Sequence, residues 1–183
     1  MAKKLKSIAV YCGHQIGSDS KFKRDARAVG AMLAKNGIRM VFGGGDVGLM
    51  GTVATSALTN GGEVIGVSTH DVIAMQEPVH NGIKVRVVDG VNERKQIMFE
   101  NADAFIILPG GIGTLNELTD IMTMQQIGET EKPLFFLNTN NFWRPFATLT
   151  RHMQKNGFVV HPECYNVFVA DTVSELKKLI LKY

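Results

Sequence analysis

The feature that most restricts this chain is its alternation of short apolar, β-rich runs with longer amphipathic stretches, punctuated by glycine clusters. Ser7-Ile8-Ala9-Val10-Tyr11-Cys12 reads as a first strand, and Ser18 or Asp19 is placed to cap a helix that runs to Asn36 and stops at Gly37. Residues 39–42 form a second strand, Gly43-Gly44-Gly45 breaks it, and residues 48–60 read as a helix ended by Gly61-Gly62. Residues 63–68 are a third strand, and 69–82, with Pro78 inside, read as a loop with at most a helical turn. Residues 84–88 alternate as a strand and 91–101 as a helix. Ala104-Phe105-Ile106-Ile107-Leu108 is a continuous apolar run, the pattern of a central parallel strand buried on both faces. A helix over 114–127, a strand over 134–137, a helix over 142–156, a short strand over 165–169 and a helix over 173–182 complete the series. Such alternation specifies an α/β fold, a parallel sheet with helices on both faces, and right-handed crossovers make it doubly wound. With no linker, repeat or low-complexity segment, residues 1–183 are expected to form a single domain.

Composition narrows the class. The 183 residues suffice for one buried core, and a net charge of +3 suits a small anionic ligand without supplying the basic stripe that nucleic acid requires. No apolar run approaches the ~20 residues of a membrane span, and Met-Ala-Lys-Lys lacks the apolar region of a secretory leader. A cytoplasmic protein with neither membrane nor nucleic-acid partner is expected. Cys12 and Cys164 form no CxxC and no metal-ligand spacing, so no metal is expected, and Cys12 reads as a small hydrophobe ending a strand. His70, His80, His152 and His161 are scattered and read as loop or surface residues. Trp143 reads as a core or subunit contact, and Met122 and Met124 as lining a subunit face or a base pocket.

Two glycine clusters mark strand-to-helix turns, where free backbone N–H groups and a helix dipole attract an anion. The first, Gly43-Gly44-Gly45-Asp46-Val47-Gly48-Leu49-Met50-Gly51, formally contains GxGxxG. However, it follows the second strand, and Glu63, at the offset of a ribose-binding acid, begins a strand instead of ending one. No GxxxxGK[ST] occurs. A tight packing turn and a phosphate-binding turn both remain open for this loop. The second cluster is Pro109-Gly110-Gly111-Ile112-Gly113-Thr114-Leu115-Asn116-Glu117. By themselves Thr114 and Glu117 read as a capping box, with Thr114 as N-cap. Glu93-Arg94-Lys95 precede the strand that feeds this loop. Arg94 falls in the first turn of its helix, where the dipole disfavours a cation, which suggests that an anion recruits it.

Glu93-Arg94-Lys95 followed by Pro109-Gly110-Gly111-Ile112-Gly113-Thr114-Leu115-Asn116-Glu117 resembles the paired signature of the Lonely Guy family, the cytokinin riboside 5′-monophosphate phosphoribohydrolases, many of whose bacterial relatives were once labelled lysine decarboxylases. The 43–51 loop, Gln126-Ile127-Gly128 and Lys132-Pro133-Leu134 fit the same family, so the resemblance covers about residues 7–146. It implies a Rossmann-like fold, a homodimer, and hydrolysis of the N-glycosidic bond of AMP or N6-substituted AMP, with no cofactor. It implies that Arg94 and Glu117 are the catalytic pair. Lys95, Gly110, Gly111, Ile112, Gly113, Thr114 and Thr123 are then substrate contacts, as are Gly13, His14, Gly44 and Gly45, and Glu77 once a one-residue gap is allowed.

The chain departs from the family pattern twice. Cys12-Gly13-His14-Gln15 stands where Cys-Gly-Ser is usual, and Val91-Asn92 stands where Met-His is usual. Both bear on the preferred base, and neither touches Arg94 or Glu117. The competing expectation is a non-catalytic nucleotide or molybdenum-cofactor carrier on the same fold. A pyridoxal-phosphate decarboxylase needs a Schiff-base lysine with a partner for the pyridine nitrogen, and nothing marks that set.

Overall fold

The computed structural model describes residues 4–76 and 80–183. Seven strands, β1 (Ser7–Tyr11), β2 (Arg39–Phe42), β3 (Val64–Thr69), β4 (Val85–Val88), β5 (Ala104–Ile107), β6 (Leu134–Leu137) and β7 (Val167–Ala170), form one sheet in the order β4-β3-β2-β1-β5-β6-β7. Every neighbouring pair is parallel. The helices are α1 (Ser20–Lys35), α2 (Gly48–Thr59), α3 (His70–Gln76), α4 (Val91–Glu100), α5 (Ile112–Gln126), α6 (Arg144–Lys155) and α7 (Val173–Lys182).

The chain works outward from β1 to β4, then returns to the other side of β1 with β5 and continues to β7. The switch point therefore lies between β1 and β5, and the crevice beyond their carboxyl ends is where such sheets bind ligands. Alternation along each strand sorts the core into two layers. Ile8, Val10, Met40, Phe42, Ile106 and Phe135 face α1, α2 and α7. Ala9, Tyr11, Val41, Phe105, Ile107 and Phe136 face α4, α5 and Trp143. Phe42, Phe105 and Phe135 are fully buried, each burial contributing roughly 1.5–3 kcal/mol.

Where boundaries differ from the sequence reading, local chemistry gives the reason. Residues 70–76 are helical because the Thr69 hydroxyl accepts the Val72 N–H at 3.1 Å and caps α3. The helix expected from 142 begins at Arg144 instead. Asn140 and Asn141 adopt left-handed backbone angles within the 3-10 turn Thr139–Asn141, and Pro145 then fits the first turn of α6. The last strand starts two residues later than expected and ends one later, at Val167–Ala170, where it pairs with β6. Among the described residues no helix is long and apolar enough to cross a membrane.

Candidate active site

The loops after β1 and β5 are tied together at the switch point: Gly13 N–H donates to the Pro109 carbonyl at 3.0 Å. The Gly13 carbonyl in turn accepts the N–H groups of Leu49 (3.1 Å) and Met50 (3.2 Å), so amides that open α2 are already used. A Cβ on Gly48, whose φ is +63°, would lie 2.2 Å from the His14 carbonyl, and one on Gly51 would lie 2.1 Å from the Asp46 carbonyl oxygen. Gly44 is buried beneath Val85 and Ser68, and Gly45 N–H donates to Met50 Sδ at 3.3 Å. These contacts favour the packing-turn reading of the first glycine loop.

The second loop is different. α5 begins at Ile112 with Gly111 as N-cap and no side-chain cap bond, which corrects the capping-box reading. Thr114 lies inside the helix and is buried, its hydroxyl packed so closely on Gly110 that a Cβ there would be 2.1 Å from Oγ1. Gly111, Ile112 and Gly113 are exposed, Ile112 by 81%. Among the described residues nothing accepts the N–H groups of Ile112, Gly113 and Thr114. A water-facing helix N-terminus at the switch point is an anion site by construction.

Glu117 sits one turn inside this helix. Arg94, buried on α4, donates Nε–H to the Val67 carbonyl at 3.0 Å and brings Nη1 to 3.5 Å from Glu117 Oε1. The anion that recruits this first-turn arginine is thus a protein carboxylate. Burial pushes the Glu117 carboxyl up to about 7, against the opposing pull of Arg94 and Lys95, and Asp120 adds to the rise. Lys95 reaches α5 as well, its Nζ 2.5 Å from Asp120 Oδ2 and 3.1 Å from Asn116 Oδ1. The sequence reading missed Asp120 and Asn116 as partners. Their i, i+4 spacing beside Glu117, facing a neighbouring lysine, was the available signal. Tyr11 is buried beneath the pair and stacked on Phe105, and burial first, then Glu117, pushes its hydroxyl far above the usual range.

Other expected residues lie elsewhere. Thr123 donates its hydroxyl to the Thr119 carbonyl and is about 120° around α5 from Glu117 and about 9 Å along it at ideal geometry, so it lines a different surface. That surface is an apolar groove of about 640 Å³ between α5 and α6, with Met122, Phe136, Trp143 and Phe146 in its walls. Glu77 lies outside the described residues. His14 and Asn92 are exposed. His80 is buried, not on the surface. Its backbone N–H donates to the Gly44 carbonyl at 3.1 Å, and its Nδ1 accepts from Gly82 N–H at 3.2 Å. This leaves the proton on Nε2, which lies 2.9 Å from Thr55 Oγ1 and 3.4 Å from Asp46 Oδ1. A single histidine in an irregular segment carries no periodic signal by which to find this clamp. Among the described residues no group of three or more His, Cys, Asp or Glu side chains is placed to hold a metal.

Fold and site together define a Rossmann-like α/β protein with a buried arginine–glutamate pair under an open helix N-terminus at the switch point. A family model described as "Possible lysine decarboxylase" matches residues 50–180. The cytokinin riboside 5′-monophosphate phosphoribohydrolase of Rhodococcoides fascians is 39% identical over 155 residues, covering 84% of this chain and 78% of that one. The rice enzyme of the same name is 37% identical, covering 98% of this chain and 74% of its own. A molybdenum cofactor carrier protein from Chlamydomonas reinhardtii superposes with a TM-score of 0.72 at 20% identity, covering 97% of this chain and 99% of that one, a likeness of fold alone. The chain belongs to the Lonely Guy family of phosphoribohydrolases.

Proposed function

We propose that this chain is a nucleoside 5′-monophosphate phosphoribohydrolase that releases the free base and ribose 5-phosphate from AMP or an N6-substituted AMP, the reaction that activates cytokinin nucleotides. The observation that carries this reading is the Arg94–Glu117 pair, set about one helical turn below the N–H groups of Ile112, Gly113 and Thr114, which no carbonyl among the described residues accepts. Relatives at 37–39% identity bear the name of that activity.

In this mechanism the 5′-phosphate docks on the amides that open α5, with Lys95 beside it. That binding energy, remote from the reacting bond, holds the ribose over Glu117. The C1′–N bond breaks with its electron pair leaving on the base, and the ribose passes through an oxocarbenium-like state. The Glu117 carboxylate stabilises this charge and takes a proton from the water whose oxygen adds to C1′; the departing base takes up a proton from solvent, and Glu117 returns its own to solvent. Arg94 orients Glu117. Water and the chain's own groups balance the reaction, so no metal or organic cofactor enters it. Gly13 lies beside Gly110 at the crevice, where it would contact the nucleotide, and the adjoining His14 would tune the choice of base. The whole chain acts as one domain in the cytoplasm. A second copy covers the α5–α6 groove, and Thr123 with it, to form a homodimer.

The test is incubation with AMP and an N6-substituted AMP, with chromatography for base and ribose 5-phosphate. Release by the wild type and none by Glu117→Gln supports the reading. No release while nucleotide still binds would replace it with a carrier role, and His14 and Asn92 would be the residues to revert.

A further inference from the structure

Gly43 closes β2 and is buried, yet its φ does not lie in the left-handed region that makes Gly44 and Gly48 glycines. Conformation therefore does not explain the missing side chain; space does. A Cβ at this position would lie 2.1 Å from Arg94 Nη2, 3.4 Å from Arg94 Cζ and 3.2 Å from Met50 Sδ. The neighbouring glycines differ in kind: at Gly48 and Gly51 the added atom would meet backbone, which must move with the fold. At Gly43 it meets first the tip of one side chain, and that tip belongs to the arginine facing Glu117.

The guanidinium is planar and rigid, so displacing one nitrogen displaces them all. Its Nε is held by the Val67 carbonyl of β3, its Nη2 rests over the Gly43 Cα at the end of β2, and its Nη1 faces Glu117 on α5. We infer that Gly43 is a positioning residue: its bare Cα is the seat of the Arg94 guanidinium, and a side chain there moves Arg94 away from Glu117. The kinetic consequence rests on the hydrolase reading, whereas the seat itself does not.

The experiment uses Gly43→Ala, Arg94→Ala and the double variant. In the wild-type background Gly43→Ala lowers kcat by about 10- to 100-fold with KM changed less than about threefold, the scale of a misplaced catalytic group. In the Arg94→Ala background the same substitution changes kcat less than about twofold, because no guanidinium remains to be displaced. An equal loss in both backgrounds overturns the inference. A second readout needs no turnover. The ¹⁵Nε–H resonance of Arg94, identified by its absence in Arg94→Ala, exchanges slowly with water in the wild type, and Gly43→Ala shifts it and speeds its exchange. An unmoved resonance overturns the seat even in a protein that hydrolyses nothing, so failure here and failure of the hydrolase reading are separable. Should Gly43→Ala melt early, the same substitution should cost little Tm when made in the Arg94→Ala background, where no guanidinium remains to clash. An equal Tm loss in both backgrounds would place the clash on Met50 or the backbone and sink the proposal.

Discussion

Arg94 Nη1 stands 3.5 Å from Glu117 Oε1, with 9% of the one side chain and 12% of the other exposed to solvent. At that separation the cation does not offset the loss of hydration, and the carboxyl is pushed up to about 7, burial first among the causes. The unfolded chain gives up this proton near the ordinary carboxylate pKa, about 4.3. Below that value both states hold the proton. Between there and about 7 the folded state alone retains it, and above about 7 both have lost it. Stability therefore falls as pH rises through this window and levels off above it, by about 4 kcal/mol at most. The Tm of the wild type should drop from pH 5 to pH 8 while that of Glu117→Gln stays nearly flat. Parallel curves for the two proteins would mean that Glu117 titrates as an ordinary surface carboxylate.

The same ionisation should gate turnover. A Glu117 that stabilises positive charge and accepts a proton works as the carboxylate, so kcat/KM should climb with pH through about 7. Glu117→Gln keeps the side-chain shape and should lose about 10²- to 10⁴-fold in kcat while binding AMP within a few-fold of wild type. Because no cap bond joins Thr114 to this helix start, α5 should survive the substitution. Loss of binding together with activity would show that residue 117 serves the helix instead.

The sheet was legible because its strands are short, apolar and bounded by glycine. The run 104–108 reads as a central strand, and β5 does sit beside β1 at the switch point. Arg94 was legible as a misplaced first-turn cation. Thr114 misled because a Thr-x-x-Glu spacing looks the same three residues into a helix as at its cap. Only the position of Gly111 in space decides which it is. His80 and Gly43 were illegible for a different reason: each acts through one long-range contact, to Thr55 or Asp46 and to Arg94, and no local pattern records such a partner.

Gly48 should tolerate no side chain. Its φ of +63° already costs an L-residue roughly 1–2 kcal/mol, and its Cβ would meet the His14 carbonyl, which is backbone and cannot rotate aside. Gly48→Ala should destabilise by at least about 2 kcal/mol in denaturant unfolding. Gly61→Ala, with similar φ but nothing within 4 Å of the added atom, should cost only the backbone share. Equal losses would assign the whole effect to backbone conformation and remove the role of the His14 contact.

Lys95 is only partly buried and is shared between Asp120 and Asn116, so its pairing should matter more to ligand than to fold. Asp120→Asn should change stability by less than about 1 kcal/mol, the scale of exposed ion pairs. Lys95→Ala should raise KM for AMP by about tenfold or more, the worth of one charge-assisted hydrogen bond, with a smaller change in kcat. A kcat loss matching that of Glu117→Gln, with KM unmoved, would instead make Lys95 part of the chemistry.

The groove between α5 and α6 is left uncovered in the single chain. α6 has no buried residue, yet Phe146, Leu149 and Met153 stand on it, and Phe136 and Trp143 sit in the groove between it and α5. An apolar groove rimmed by polar residues can serve as a protein–protein contact, and closure by a two-fold axis would cover it on both copies at once. Light scattering of the wild type should give twice the chain mass. Phe146→Glu should give the single mass with an unchanged far-ultraviolet circular dichroism spectrum, because that side chain is only half-buried within one chain. Thr123 shares the groove, so the monomeric variant should also lose nucleotide turnover if the substrate is completed across the interface. Full activity in a proven monomer would confine the site to the Arg94–Glu117 crevice of one chain.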